Sequence, residues 1–198
     1  MTVGLMLDGN LTEAKPNMKI SAVKLYDGGY MMKTFACGGG LPEGSIKEEK
    51  FRSSLQNYVI ETGKEIILVD TGFPAEETVP VTPDSVITFG DKVKDYVDAL
   101  KAAGYDPEKV SKILITHKHA DHTGELRHFP NAKIYISRIE ADDMKLTGDN
   151  VVRTDFTDGT YKNSTNAKRL PTAFITSSRL VTQRATVSLS LRTATFPI

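Results

Sequence analysis

The chain has 198 residues, of which 39% are hydrophobic and 25% charged, and its 25 basic and 25 acidic side chains cancel. This balance gives no general affinity for nucleic acid or for an anionic membrane, and no apolar run approaches the roughly 20 residues that a membrane span needs. Cys37 is the single cysteine, which excludes an intrachain disulfide. The composition therefore predicts a cytoplasmic protein without nucleic-acid or membrane partners.

Two β-hairpins are predicted in the first third of the chain. The first is expected to turn at Asp27-Gly28-Gly29 and the second at Gly63-Lys64, because short segments that contain glycine are typical of tight turns. A polar loop is predicted over residues 38–53, between the hairpins. The predicted strands are residues 19–26, 30–36, 54–62 and 65–70.

An amphipathic helix is the clearest element further along. It is predicted to follow an irregular, proline-bearing stretch over residues 74–90. Asp91 is its expected N-cap and Gly104 its expected end. The apolar face expected to be buried recurs at helical spacing at Val93, Tyr96, Val97 and Leu100. The elements predicted after it are strands at residues 112–116 and 132–137 and a short helix at residues 138–146.

Three imidazoles and one carboxylate occur together directly after the apolar run of residues 113–115. Residues 116–122 read Thr-His-Lys-His-Ala-Asp-His and contain three of the four histidines. His117 and His119 are two positions apart, so in extended chain their rings leave the same face. Asp121 and His122 follow where the chain must turn, and they can face a second ion. Neutral imidazole and carboxylate are zinc ligands, so the pattern predicts a metal-binding hydrolase loop, with a loop of solvated histidines as the alternative.

This loop, together with Ile-Leu-Val-Asp-Thr-Gly at residues 67–72, resembles the metallo-β-lactamase superfamily of zinc-dependent hydrolases. The segment between the two motifs is most similar to that of the N-acyl-homoserine lactonase branch. The resemblance covers residues 18–146, the first half of an αββα sandwich, and implies an α/β (α+β) fold that is incomplete at its C-terminal side. It suggests an N-terminal extension at residues 1–17, a domain at residues 18–162 and an atypical basic tail at residues 163–198.

The resemblance also implies a ligand set and a mechanism. In the family, two zinc ions share a water, which they activate to a hydroxide that opens a lactone or related ester. His117 and His119 would serve the first metal. Asp121 and His122 would serve the second, and Asp121 would also act in catalysis by steering the hydroxide proton. Asp70 is similar to a family carboxylate that orients a ligand from beneath the loop, and a carboxylate that merely caps the turn is the alternative.

The family completes both metal sites with later ligands that have no counterpart here. No histidine follows His128, which comes too early to match a later ligand and is predicted to be a surface or structural residue. Asp149, Asp155 and Asp158 stand in no recognisable ligand motif. One zinc ion or fewer is therefore expected for this chain.

Residues 163–198 differ in composition from the rest of the chain. They contain 12 Ser or Thr, five basic residues and no Gly, Asp or Glu. One interpretation is a real segment, because alternating Val187, Leu189 and Leu191 are typical of a half-buried strand. The abrupt change favours the other interpretation, a disordered or out-of-frame tail that was never selected to complete the fold.

The sequence is compatible with three functions. The first is a zinc-dependent hydrolase that opens a small-molecule lactone or related ester. The second is a thioesterase of the glyoxalase II kind, which usually has a different pattern after the first aspartate than Thr71-Gly72. The third is a truncated, catalytically inactive chain that binds metal weakly.

Overall fold

In the computed structural model, ten strands make up most of the regular structure of the described residues. The structure describes residues 18–31, 49–77, 87–160, 167–169, 174–181 and 184–191. The strands are β1 (Lys19–Met31), β2 (Lys50–Glu61), β3 (Ile66–Val69), β4 (Ile87–Lys92), β5 (Val110–Leu114), β6 (Lys133–Ser137), β7 (Val151–Thr154), β8 (Ala167–Arg169), β9 (Phe174–Val181) and β10 (Arg184–Leu191).

Seven strands form one mixed sheet in the order β4-β1-β2-β3-β5-β6-β7. The half from β4 to β3 is antiparallel, whereas β3, β5, β6 and β7 are parallel to one another. Because parallel strands end at the same edge of a sheet, the segments that follow β3, β5 and β6 are neighbours there. These segments begin at Asp70, at Ile115 and at Arg138.

The helices are short. Tyr96 and Leu100, one helical turn apart, are the buried residues of the longest helix. Within the described ranges, no helix is long and apolar enough to cross a membrane. The α-helices are α1 (Tyr96–Ala102), α2 (Ala120–Thr123) and α3 (Arg138–Asp143), and 3-10 turns occur at Pro107–Lys109 and Leu126–His128.

Both faces of the seven-stranded sheet carry buried apolar side chains. Ile67 and Leu68 follow one another in β3, so their side chains leave opposite faces, and both are fully buried. Leu68 belongs to the larger cluster, to which α1 contributes Tyr96 and Leu100. Ile67 belongs to a smaller cluster on the other face. Two-sided burial explains why the parallel strands read as continuous apolar runs.

The first predicted hairpin is wrong. β1 continues through Asp27-Gly28-Gly29 to Met31 and pairs along its length with β2. The register of β1 shifts between Lys24 and Tyr26 against β2, and between Asp27 and Gly29 against β4. Glycines without a Cβ thus occur where the strand bulges between two neighbours, instead of closing a two-residue turn. Residues 32–36 lie outside the described residues.

Two further boundaries differ because tertiary pairing overrides local pattern. Asp91 pairs with Asp27 inside β4, so the helix begins only at Tyr96 and Asp95 is its N-cap. Val93, expected on the buried face of the helix, is 52% exposed. Residues 50–53 belong to β2 and residues 87–90 to β4, both in place of predicted loops. The rest of these two predicted loops is described only at residues 49 and 74–77.

The other elements agree better with the sequence. The second hairpin is confirmed, since β2 and β3 pair antiparallel around Gly63, whose φ is 80°. Predicted strands 112–116 and 132–137 correspond to β5 and β6, the predicted helix at residues 138–146 ends earlier as α3, and β7 was missed.

The tail also contains regular backbone. β8, β9 and β10 pair in order as a separate antiparallel sheet, and residues 187–191, the strand of the first of the two interpretations of the tail, lie within β10. The proposed domain boundaries at residues 17 and 162 stay predictions.

Candidate metal centre

Asp70 follows β3 in a backbone conformation that is unusual for a residue with a side chain. Its φ is 63°, in the left-handed region that only a few per cent of non-glycine residues adopt. Its N–H donates to the carbonyl of Leu114 at 3.0 Å, and its own carbonyl accepts from the Tyr96 hydroxyl at 3.0 Å. The neighbouring strand and α1 therefore fix the backbone of Asp70 from two sides.

The Asp70 carboxylate organises the start and the end of the histidine loop. Its Oδ1 accepts the backbone N–H of Thr116 at 2.8 Å, and its Oδ2 accepts the Thr116 hydroxyl at 2.8 Å. The same Oδ2 lies 2.8 Å from Nδ1 of His122. Nε2 of His122 is left to face Asp121, whose Oδ2 lies 3.2 Å away. Asp70 is only 4% exposed, so solvent competes little for these bonds.

His117 and His119 turn their rings toward each other, as the two-residue spacing predicted. Nε2 of His117 lies 3.1 Å from Nδ1 of His119. The other ring nitrogen of His117 lies 3.1 Å from the Thr116 hydroxyl. The rings of His117 and His122 have centroids 3.9 Å apart, so all three imidazoles form one cluster.

The four nearest donor atoms suit zinc as two pairs. Two nitrogens bound to a tetrahedral Zn²⁺ at about 2.0–2.1 Å stand roughly 3.3–3.4 Å apart. The separations of 3.1 Å between His117 and His119 and of 3.2 Å between Asp121 and His122 are close to that distance. No group of three His, Cys, Asp or Glu side chains is arranged to hold one ion in the described part of the chain. The residues present thus fit zinc as two half-sites.

Burial and charge act in opposite directions on the loop residues. Burial opposes the charged form of His122, but hydrogen bonds and charge from Asp121 and Asp70 outweigh it and raise its pKa to about 9. Burial also opposes ionisation of Asp121, yet its bond to His122 leaves the Asp121 pKa below its usual value. Burial and the two neighbouring imidazoles lower the pKa of His117. Without metal, the Asp121–His122 pair is therefore an ion pair, and His117 favours the neutral form that metals bind.

The end of the loop packs directly on the turn after Asp70. The Thr71 N–H donates to the His122 carbonyl at 2.7 Å, and the Gly124 N–H donates to the Gly72 carbonyl at 2.8 Å. A Cβ on Gly124 would lie 2.3 Å from the backbone nitrogen of Pro74. Only glycine permits this approach of the two backbones.

Two polar residues in this region were missed by sequence reasoning. Thr116 lies within the histidine motif and accounts for two of the Asp70 bonds, but a threonine at that position does not by itself indicate a role. Glu140 is a buried carboxylate on α3 whose Oε2 accepts the backbone N–H of Lys118. The Ser-x-x-Glu spacing of Ser137 and Glu140 after an apolar strand is a capping-box signal that could have drawn attention to Glu140.

Three other polar residues singled out in the sequence, His128, Asp155 and Asp158, lie beside polar side chains outside the histidine loop, and Asp149 is exposed. Nε2 of His128, a residue predicted to be structural, lies 2.7 Å from Oε2 of the buried Glu125. Asp155 receives three hydrogen bonds from Arg138, and Asp158 binds Lys168.

The Tyr96 hydroxyl gives a first test of how Asp70 is held. We expect Tyr96→Phe to lower the free energy of unfolding by about 1–1.5 kcal/mol, because the ring is kept while a buried carbonyl loses its donor. Urea unfolding of the metal-free chain measures the change. Tyr58→Phe is the control, because that ring is 40% exposed and its hydroxyl bonds only to Gln56 among the described residues. Equal stabilities of the two variants would contradict the role given to Tyr96.

Two curated relatives that match part of this chain are N-acyl homoserine lactonases. N-acyl homoserine lactonase AttM from Rhizobium johnstonii is 46% identical over 50 residues, which are 25% of this chain and 19% of AttM. N-acyl homoserine lactonase AiiA from Bacillus thuringiensis subsp. kurstaki is 32% identical over 91 residues, which are 42% of this chain and 36% of AiiA. The matched segments thus span about a fifth to a third of these relatives.

Solved structures and a family model extend the likeness. An N-acyl homoserine lactone hydrolase with the product N-hexanoyl-L-homoserine bound at its catalytic metal centre superimposes with a TM-score of 0.58. The superposition covers 89% of this chain and 71% of that one at 18% identity, so it shows a shared fold. The mixed sheet and few helices fit an incomplete sandwich of that fold. The model of the Metallo-beta-lactamase superfamily matches residues 56–185, well over half of the sequence, and the chain belongs to that superfamily.

Proposed function

We propose that this chain is a zinc-dependent hydrolase that opens a lactone or a related small ester. The observation that carries the proposal is the pairing of Nε2 of His117 with Nδ1 of His119, next to a second pair formed by Asp121 and His122. Both pairs lie at the carboxyl-terminal edge of parallel strands, where α/β sheets bind their ligands.

Each residue of the cluster has a role in this proposal. Zinc, when bound, lowers the pKa of a water and polarises the carbonyl to be attacked. His117 and His119 would form one half-site for zinc, and Asp121 and His122 would form the other, so that a single ion would be held by one of the two pairs. Asp121 would also orient the attacking water through its carboxylate oxygen. Asp70 keeps the proton of neutral His122 on Nδ1, so the lone pair of Nε2 is free for metal.

The substrate class rests on the named relatives, which are N-acyl homoserine lactonases. We propose a small molecule with a lactone or ester carbonyl as the partner, in the cytoplasm, and neither nucleic acid nor membrane.

Zinc content and lactone hydrolysis test the proposal together. The purified chain is treated with chelator, titrated with Zn²⁺ and assayed on an N-acyl homoserine lactone with and without the metal. We expect turnover that requires zinc and is lost in His119→Ala, because a single imidazole cannot replace the pair. His128→Ala is the matched control, since His128 contacts Glu125 outside the loop, and it should retain both zinc and turnover.

The stoichiometry separates the hydrolase from the inactive alternative. Because the described residues supply two half-sites, we expect no more than one weakly held zinc per chain. Metal-dependent turnover under that condition supports the hydrolase. Bound zinc without turnover in the unmodified chain would leave a metal-binding but inactive protein and would overturn the proposal.

A further inference from the structure

Glu140 is a buried carboxylate that the proposed chemistry does not use. It is 3% exposed and lies on α3, directly after β6. Its Oε2 accepts the backbone N–H of Lys118, the residue between His117 and His119. A buried carboxylate is costly unless it is hydrogen-bonded. The hydrogen bond from the Lys118 N–H therefore offsets part of the cost of burying Glu140.

The surroundings of Glu140 hold its carboxylate against the loop. Ser137 Oγ accepts the Glu140 N–H at 3.2 Å and caps α3. β6 runs parallel to β5 as its immediate neighbour, so α3 begins beside the loop that leaves β5. Asp143, three residues after Glu140 and hence on the same side of the helix, pairs with the Lys118 ammonium. Both the main chain and the side chain of Lys118 are therefore bound to α3.

We propose that Glu140 is a positioning residue that sets the zinc affinity of the His117–His119 pair. The inference rests on the proposed metal function of that pair. The Lys118 N–H belongs to the His117–Lys118 peptide, one of the two peptide units between the histidines, so fixing it orients the rings before the ion arrives. Less conformational freedom is then lost on binding, and the affinity is higher than for a free loop.

Two conservative variants separate the effect of side-chain length on zinc affinity from the effect of charge. Glu140→Gln keeps the length of the side chain and an oxygen that accepts the Lys118 N–H. Glu140→Asp keeps the charge but is one methylene shorter, so its carboxylate is withdrawn from that N–H. Zinc affinity is measured by competition with a chromogenic chelator, and hydrogen exchange of the Lys118 amide is measured on the metal-free chain. We expect Glu140→Asp to weaken zinc binding about tenfold, at the lower end of the effect of partners that orient ligands, and to speed exchange at Lys118, whereas Glu140→Gln changes both less.

Two further variants exclude a general loosening of the region. Ser137→Ala removes the cap of α3 but leaves the carboxylate, and Asp143→Asn removes only the partner of the Lys118 ammonium. Both should change zinc affinity less than Glu140→Asp does. The proposal is overturned if Ser137→Ala weakens zinc as much as Glu140→Asp, or if Glu140→Asp exposes the Lys118 amide without lowering zinc affinity.

The assay uses Zn²⁺ alone, so it is independent of turnover. Lack of lactone hydrolysis would overturn the proposed activity and leave the role of Glu140 intact. Lack of zinc binding by the unmodified chain would overturn both.

Discussion

Replacing Gly124 with alanine should destabilise the protein by about 3 kcal/mol, the upper range for overpacking of a rigid site. The new Cβ would lie 2.3 Å from both N and Cδ of Pro74 and 2.5 Å from the carbonyl oxygen of Gly72. Two of these atoms belong to the backbone and cannot rotate away. The loop would have to move off the turn after Asp70, and the bond from the Gly124 N–H to the Gly72 carbonyl would be lost. Urea unfolding in the presence of chelator measures the loss without a contribution from metal.

A second glycine serves as the control for this prediction. Gly63 has a φ of +80°, but a Cβ there would meet nothing within 4 Å. Gly63→Ala should therefore cost only the backbone strain of about 1–2 kcal/mol. Combining Pro74→Ala with Gly124→Ala removes Cδ but not the backbone nitrogen, so it should restore part of the stability. A Gly124→Ala protein as stable as the Gly63→Ala protein would show that the two segments separate without cost.

Asp70→Asn should weaken zinc binding by the Asp121–His122 pair about 10–100-fold, the range for loss of a partner that orients a metal ligand. Asparagine tolerates a positive φ, so the backbone at residue 70 is retained. If its single oxygen accepts the Thr116 backbone N–H at the Oδ1 position, its NH₂ group occupies the Oδ2 position and faces the Thr116 hydroxyl and Nδ1 of His122. With an NH₂ group facing Nδ1, His122 carries its proton on Nε2, the nitrogen that the metal needs.

The tautomer of His122 can be read directly. Long-range ¹H–¹⁵N spectra of the metal-free chain, recorded well above the His122 pKa of about 9 so that this imidazole is neutral, should show the proton on Nδ1 in the unmodified protein and on Nε2 in Asp70→Asn. Asp155→Asn is the control, because it removes a carboxylate whose partner is the exposed Arg138. Unchanged zinc affinity and an unchanged tautomer in Asp70→Asn would remove Asp70 from the site.

The sequence predicted the elements whose signals are local. Two-sided burial of the parallel strands leaves continuous apolar runs, and Gly63 adopts the positive φ that a tight turn requires. The first hairpin and the helix start were wrong for one shared reason. β1 has partners on both sides, and its pairing with β4 drew Asp91 into a strand. The local sequence around residue 91 does not indicate that Asp91 pairs with a strand residue more than 60 positions earlier in the chain.

In the candidate site, too, local relations could be predicted from the sequence, whereas contacts between distant segments could not. The chain spacing of His117 and His119 was enough to predict that their rings face each other, because extended backbone fixes that relation. Glu140 could not be placed, since its contact with Lys118 depends on β5 and β6 being neighbours. Thr116 belongs to the predicted motif, but the role of its hydroxyl as a hydrogen-bond donor to Asp70 could be recognised only from the structure.

Asp70 and His122 meet although 52 positions separate them in the chain. Their contact forms only after β3 and β5 have aligned, and closing so long a loop is slow relative to local structure. His117 and His119, by contrast, are close in every extended conformation. An unfolded or newly synthesised chain can therefore chelate an ion with this imidazole pair at once, whereas capture by Asp121 and a correctly protonated His122 must wait for the parallel strands. The rate at which zinc binding by Asp121 and His122 appears during refolding should therefore report the rate at which the parallel strands pair.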